Sequence, residues 1–447
     1  MDTFCSRMLL FLCLAPLIAL AAPAPPTHAF TLDNGLQILV REDHRAPLVT
    51  SHLLFKVGSS DEAPGQTGLS HILEHMLYKG SSKTCADEAS AILQALGAEE
   101  NAFTTEDATA YHQTLAPRYL GVTFELMADL MSTAALRSEN LTAEMAVIRE
   151  ERHLRVDDNG AARALERFTA IAQLASSSRT PVIGWMHDLH RVNDAELRRW
   201  YETRYAPGNA VLVIVGDVTL AQVKPLAERY FGVLAKRHVP RLLRPVELES
   251  PGERKLTLRV STHTPRLLMA FNVPGMATAK DPHTVHALRL INMLLAGSNS
   301  ARLQKRLQFA EQLFSKVDSH YEDLTRGDTL LLLTAELADP AITDLDAAQA
   351  RIWRLIEELH ATAPTLEDLE RARTQLIARH VYAQDSIEQQ ATELATLRSI
   401  DLPWNLRDQD AEALKQVTPE DIRQVAATWL TRERLSVAHV HVEKPHE

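Results

Sequence analysis

The chain has 447 residues, a formal net charge of −11, 45% apolar residues and 23% charged residues. That length exceeds what one hydrophobic core usually serves, so two domains are expected, and the apolar and charged fractions are those of a globular protein. The acidic balance argues against nucleic acid as a partner, because duplex binders need a basic face to neutralise phosphates.

The N-terminal stretch "MDTFCSRMLLFLCLAPLIALAAPAPPTHA" has Arg7 before an apolar run from Met8 to Leu20. A run of about thirteen apolar residues is too short to span a bilayer and fits a secretory signal peptide. Ala19-Leu20-Ala21 offers a cleavage point, although Asp2 weakens the basic n-region. Residues 1–21 are therefore expected to be a signal peptide. The mature chain is expected to be exported, with a bacterial periplasm as its destination, and no second apolar run of membrane length follows. Of the three cysteines, Cys5 and Cys13 would leave with this segment. Cys85 alone remains, so no internal disulfide is expected, and its expected state is that of a small buried hydrophobe.

Next, "FTLDNGLQILV" (30–40) and "PLVTSHLLFKVG" (47–58) are strand-like runs split by "REDHRA", which suggests an antiparallel pair. Apolar residues then recur at helical spacing over 66–80, 86–96, 117–135 and 139–155. "NAVLVIVGDV" (209–218) reads as a buried strand and "LAQVKPLAERYFG" as a helix. Residues 235–254, with three prolines and many charges, break all periodicity and read as a linker. Beyond it lie strand-like "KLTLRV" and "RLLMAFNVPG", a helix from about 282 to 296, further helices, and a terminal strand "RLSVAHVHVE". Strand pair, helices and terminal strand thus occur twice. The expectation is an α+β fold of two related domains, 22–234 and 255–443, each a mostly antiparallel sheet packed with helices.

Within the first half, "GLSHILEHMLYKGS" places His71, Glu74 and His75 inside five positions. Residues four apart lie about 40° apart around a helix and one turn along it, so both imidazoles can converge on one cation. Glu74 projects near the same face, within reach of a water beside that cation. Surface histidines and a solvated glutamate would be the ordinary alternative. Yet Leu69, Ile72, Leu73, Met76 and Leu77 surround the motif, and polar groups in so apolar a helix need a partner. A third protein ligand must come from elsewhere. The segment "SENLTAEMAVIREERHLRV" (138–156) offers Glu144, Glu150 and Glu151, and spacing alone does not choose among them. His187 and His190, three apart, have no third partner in view, and Trp200, Tyr201 and Tyr205 read as a core stripe.

"HILEH", followed at a distance by "AVIREE", resembles the inverted-zinc-motif peptidases, the pitrilysin or insulinase family that includes mitochondrial processing peptidase. The likeness extends to "GAEENAFTTEDATAYHQTL" (97–115), "PVIGWMHDLHRVNDAELRRWYETRYAPGNAVLVIVGDV" (181–218) and "GSNSARLQKRL" (297–307). Carried onto this chain, it implies one zinc ion held by His71, His75 and Glu150, with Glu74 as general base. It implies two halves that close like a clam shell, and cleavage of extended or unfolded peptides. It also implies that "NAFT" (101–104) is an exposed strand edge where substrate adds as a strand, with Asn101, Ala102 and Thr104 as binding residues.

Three positions depart from the family pattern. Counted from Glu150, the supporting glutamate seven residues earlier is replaced by Ala143, with Glu144 displaced by about 100°. In the second half, the arginine and tyrosine that grip substrate in self-sufficient members fall on Gln308 and Ser315. Glutamine has no charge and serine is too short to replace a phenol. Arg306 and Tyr321 are the nearby substitutes. The expected arrangement is therefore a heteromer in which a homologous subunit supplies the arginine and tyrosine. The competing readings are a catalytically silent scaffold or binding subunit of the same family and a metal-storage protein.

Overall fold

In the computed structural model, residues 26–240, 243–341 and 343–443 are described. The expected signal peptide, 1–21, lies outside them. Eleven strands are seen there: β1 (Thr27–Thr31), β2 (Gln37–Glu42), β3 (Val49–Phe55), β4 (Glu99–Thr104), β5 (Thr109–Leu115), β6 (Ala210–Gly216), β7 (Arg254–Val260), β8 (Arg266–Val273), β9 (Phe314–Tyr321), β10 (Thr329–Leu337) and β11 (Leu435–Val442). They form two sheets, ordered β1-β2-β6-β3-β5-β4 and β7-β11-β8-β10-β9. Apart from the extra strand β1, the second sheet repeats the first. In each, one parallel pair (β2 with β6, β7 with β11) is followed by antiparallel neighbours.

Two local expectations are corrected. The run 30–40 is not one strand but most of a hairpin: Thr31 pairs with Gln37 around Asn34-Gly35, and Gly35 takes the left-handed φ of 97° that this turn requires. Nor do the runs 30–40 and 47–58 pair with each other, because β6 lies between β2 and β3 and bonds to both. The uninterrupted apolar sequence of β6 explains the insertion: every residue from Ala210 to Gly216 is buried, as a central strand covered on both faces must be. In the second half, the β9–β10 hairpin stands where only helices were expected.

The helices expected from periodicity are present with tighter bounds: Leu69–Leu77, Glu88–Ala95, Leu120–Thr133, Ser138–Arg152, Leu220–Tyr230 and Pro282–Ala296. Residues 235–240 and 243–253 carry no helix or strand, and Arg254 already belongs to β7. Trp200, Tyr201 and Tyr205 are core residues, whereas Cys85 is exposed and not buried as expected.

The two halves hold each other by exchanging helices. One face of the first sheet packs on its own helices, with Leu53, Phe55, Leu212 and Ile214 against Ile72, Leu73, Met76 and Phe124. The other face, Leu54, Val211, Val213 and Val215, is covered by Ala391, Leu394 and Ala395 of the second-half helix Ile387–Ser399. Reciprocally, Ala164 and Phe168 of the first-half helix Gly160–Ala172 cover Leu258, Val260, Ala270 and Ala438 of the second sheet. Burial of each such Leu, Val or Phe side chain stabilises by about 1.5–3 kcal/mol. A polar lock sits beside this joint: the buried Arg326 guanidinium donates to Ser60 Oγ at 2.6 Å and Asp61 Oδ1 at 2.9 Å, and its main-chain N–H donates to Asp107 Oδ2 at 2.8 Å.

Candidate metal and catalytic site

The helix Leu69–Leu77 is fixed at its start by buried acids. Glu62 accepts from the N–H groups of Gly68 and Ser70, both at 2.7 Å, so a carboxylate satisfies two donors that a helix N-terminus leaves free. Gly68 has φ of 91° and touches Gly184 so closely that a Cβ there would lie 3.2 Å from the Gly184 Cα. Leu69, Ile72, Leu73, Met76 and Leu77 turn into the core. That leaves His71 and His75 on the remaining face, their ring centroids 4.7 Å apart.

The helix Ser138–Arg152 packs against this one and supplies the acids. Glu151 Oε2 lies 3.6 Å from His71 Nε2 and 3.5 Å from His75 Nε2. Among the described residues, His71, His75 and Glu151 are the group whose ligand atoms converge closely enough to hold a metal ion. Glu150 is therefore not placed as the third ligand. It is exposed on the flank of the helix and lines the surrounding cavity, one residue and about 100° away from the converging face.

The change of residue also removes one departure from the family pattern. Seven residues before Glu151 stands Glu144, not Ala143, and Glu144 Oε2 is 3.3 Å from His75 Nδ1. Glu144, Ile148 and Glu151 share one face at spacings of four and three, the periodicity that also buries Leu141 and Met145. Lys79 Nζ, 3.0 Å from Glu144 Oε1, holds that carboxylate from the other side.

These residues fit a zinc ion. Glu151 Oε2 is buried without a hydrogen-bond donor, facing two imidazole nitrogens, which is the situation a shared cation resolves. Two imidazoles and a carboxylate are a donor set of catalytic zinc, with a fourth position open, and a carboxylate on the far nitrogen of His75 is the usual outer support. His71 Nδ1 is buried with no partner seen for it.

Electrostatics separate the roles. Burial lowers the His71 pKa to about 4, with the charge of His75 adding to the effect. Burial opposes charge on His75 as well, but Glu151 and Glu144 outweigh it and raise its pKa. Burial raises the pKa of Glu74, against the opposing hydrogen bond that Thr104 Oγ1 donates to Glu74 Oε2 at 2.5 Å. A carboxylate that is held in place and made more basic suits a proton acceptor.

Asn101, Ala102 and Thr104 lie on β4, the outermost strand of the first sheet, so one row of its main-chain groups has no neighbouring strand. Asn101 Oδ1 accepts from the N–H of Ala102, and Thr104 serves Glu74 as just described. A cavity of about 1250 Å³ joins His71, Glu74, His75 and Glu151 to Asn101, Ala102, Phe103 and Thr104. Its lining runs from His71 to Ile183, all in the first half. The second half enters an adjoining cavity of about 790 Å³ through residues such as His320, Glu322 and Gln389.

Gln308 and Ser315 line neither cavity. They are neighbours, Gln308 half-buried and Ser315 exposed, with Gln308 Nε2 donating to the Ser315 carbonyl at 3.0 Å. The suggested substitutes are engaged elsewhere: Arg306 is ion-paired with Glu358, and the buried Tyr321 donates its hydroxyl to the Pro274 carbonyl at 2.7 Å. His187 contacts Asp188, away from the metal-binding group.

Comparison with known proteins agrees with this architecture. Residues 37–180 match the family model described as insulinase, peptidase family M16, and residues 191–376 match the peptidase M16 inactive domain. Zinc protease PqqE of Helicobacter pylori is 27% identical over 353 residues, 78% of each chain. The mitochondrial-processing peptidase subunit beta of Lentinula edodes is 22% identical over 421 residues, 91% of this chain and 88% of that one. In fold, the crystal structure of a protease from Helicobacter pylori superposes with a TM-score of 0.87 at 24% identity, over 94% of this chain and all of that one. From its first sheet into the helices of its second half, then, the chain belongs to peptidase family M16, the insulinase family.

Proposed function

We propose that the chain is a zinc-dependent endopeptidase acting on extended or unfolded peptides, with His71, His75 and Glu151 holding one zinc ion and Glu74 as general base. The observation that carries this reading is the buried, donorless Glu151 Oε2 facing two imidazoles, with Glu74 held beside them by Thr104. Bound there, zinc would polarise the scissile carbonyl and make water acidic enough to be deprotonated near neutral pH. Glu74 takes the proton of the attacking water and hands it to the leaving amine. The free edge of β4 pairs with the substrate main chain through Asn101 and Ala102, which explains tolerance of varied sequences. Relatives named zinc proteases support the metal.

Activity is proposed to depend on a homologous subunit, because Gln308 and Ser315 lack the chemistry of a substrate clamp and lie outside the zinc cavity. The mitochondrial-processing peptidase subunit beta is by its name one part of a larger enzyme. Export is proposed from the apolar N-terminal segment. A periplasmic protease, PqqL of Escherichia coli, is among the fold relatives, and no helix of the described residues is long and apolar enough to cross a membrane. Glu74→Gln is expected to keep zinc and abolish peptide cleavage. Zinc content and turnover, measured with and without a homologous subunit that lacks the zinc motif, test the scheme, and near-normal turnover of Glu74→Gln would remove Glu74 from its role.

A further inference from the structure

The reaction develops a charge that zinc would share but that no clamp side chain of this chain's second half meets. When water adds to the scissile carbonyl, a C–O bond forms and the carbonyl π pair moves onto its oxygen, which becomes an oxyanion. Collapse returns that pair as the C–N bond breaks, and the amine leaves with the proton from Glu74. Zinc, when bound, would carry part of that charge, and a second donor fixed close by would carry the rest; neither Gln308 nor Ser315 is in the cavity.

One cation is placed to act there. The ligand helix Ser138–Arg152 runs on into a π-helical turn, His153–Asp157, a geometry that recurs at functional sites. Arg155 lies in this turn and lines the same cavity as His71, Glu74 and His75. One of its guanidinium nitrogens, Nη1, is 3.0 Å from Glu151 Oε1, the oxygen turned away from the histidines. The side chain is 74% exposed and lines the cavity, so its remaining N–H donors are open to solvent and to a ligand there. An ion pair that open contributes little to stability. Its field nonetheless reaches His71, Glu74 and Glu151 together. The other arginine of the cavity, Arg179, donates to the Leu174 carbonyl.

Resting on the zinc-peptidase reading, we infer that Arg155 is a further catalytic residue, anchored on Glu151 and donating to the oxyanion of the tetrahedral intermediate from within this chain. Glu151 thereby works with both oxygens: Oε2 turns to the histidines and Oε1 holds the guanidinium in place.

The test separates this role from simple support of Glu151. An alanine/leucine hexapeptide with a phosphinic group at the scissile position mimics the tetrahedral anion, and the parent peptide mimics the ground state. Zinc-loaded wild-type, Arg155→Gln and Arg155→Lys proteins are titrated with the phosphinic peptide. The parent peptide is titrated on Glu74→Gln and Glu74→Gln/Arg155→Gln proteins, where it is not consumed. Zinc affinity of each variant is measured by chelator competition. The expected result is a loss of about 100-fold in phosphinic-peptide affinity for Arg155→Gln, partial recovery in Arg155→Lys, and zinc and parent-peptide affinities within about threefold of their controls. Equal phosphinic-peptide affinity in wild type and Arg155→Gln would overturn the assignment. So would a fall in zinc affinity large enough to account for the loss. Wild-type protein that binds no zinc would overturn the underlying reading, a failure distinct from either.

Discussion

Replacing Glu151 by glutamine tests the metal centre most directly, because the neighbouring Glu150 serves as an internal control. Glutamine keeps the size of the side chain but presents a neutral amide to the ion. Glu151 Oε2 sits 3.6 and 3.5 Å from the two Nε2 atoms, and in the proposed site it is one of three protein ligands. Zinc held by protein side chains is bound by about 10–16 kcal/mol at neutral pH, and a third of that is about 3–5 kcal/mol. At about 1.4 kcal/mol per power of ten, Glu151→Gln should weaken zinc binding by about two to four powers of ten. Glu150→Gln, on the exposed flank, should change it by less than about threefold, in the range of surface substitutions. Both are read by competition with a chromophoric chelator at fixed pH. If Glu150→Gln loses zinc and Glu151→Gln keeps it, the convergence at Glu151 does not describe the working site.

Two further outcomes concern the joint between the halves. Arg326→Met leaves the buried Asp61 carboxylate and the largely covered Asp107 carboxylate without this guanidinium and should cost about 3–5 kcal/mol, seen as a lower urea midpoint; an unchanged midpoint would mean the lock is not stabilising. His52, on β3 and stacked on His112 with ring centroids 4.8 Å apart, has both ring nitrogens buried and unpaired. Burial, helped by the charge of His112, holds its pKa at about 3. A depressed histidine value favours the folded state above the unfolded value of about 6.5, and that advantage is lost as pH falls from 6.5 towards 3, at up to about 1.4 kcal/mol per unit. His52→Leu should flatten the urea-midpoint profile over that range, and slopes equal to those of the wild type would show that His52 does not control it.

How far the site was legible depends on what each signal encodes. The two histidines and Glu74 fall on one short helix, where a period of 3.6 residues ties sequence directly to direction, and that part was readable from five residues. The proposed third ligand comes from a helix about seventy residues on, so motif spacing from His75 could not separate Glu150 from Glu151, although the two point about 100° apart. The deciding signal lay in the second helix itself. Leu141, Met145 and Ile148 mark its buried face, Glu144 and Glu151 continue that face, and Glu150 does not. The same contrast runs through the fold. The strand β6 announced its burial by an unbroken apolar run, but no local pattern could say that it would part β2 from β3, since strand order is set by long-range pairing. The Asn34-Gly35 turn, by contrast, was a local signal present within "FTLDNGLQILV", and it divides that run into two strands. The turn after the ligand helix shows where local reading stops. A widened turn is not written in "HLRVD", yet it is there that Arg155 meets Glu151, so this arginine beside the centre becomes visible only once that turn and the cavity it borders are seen together.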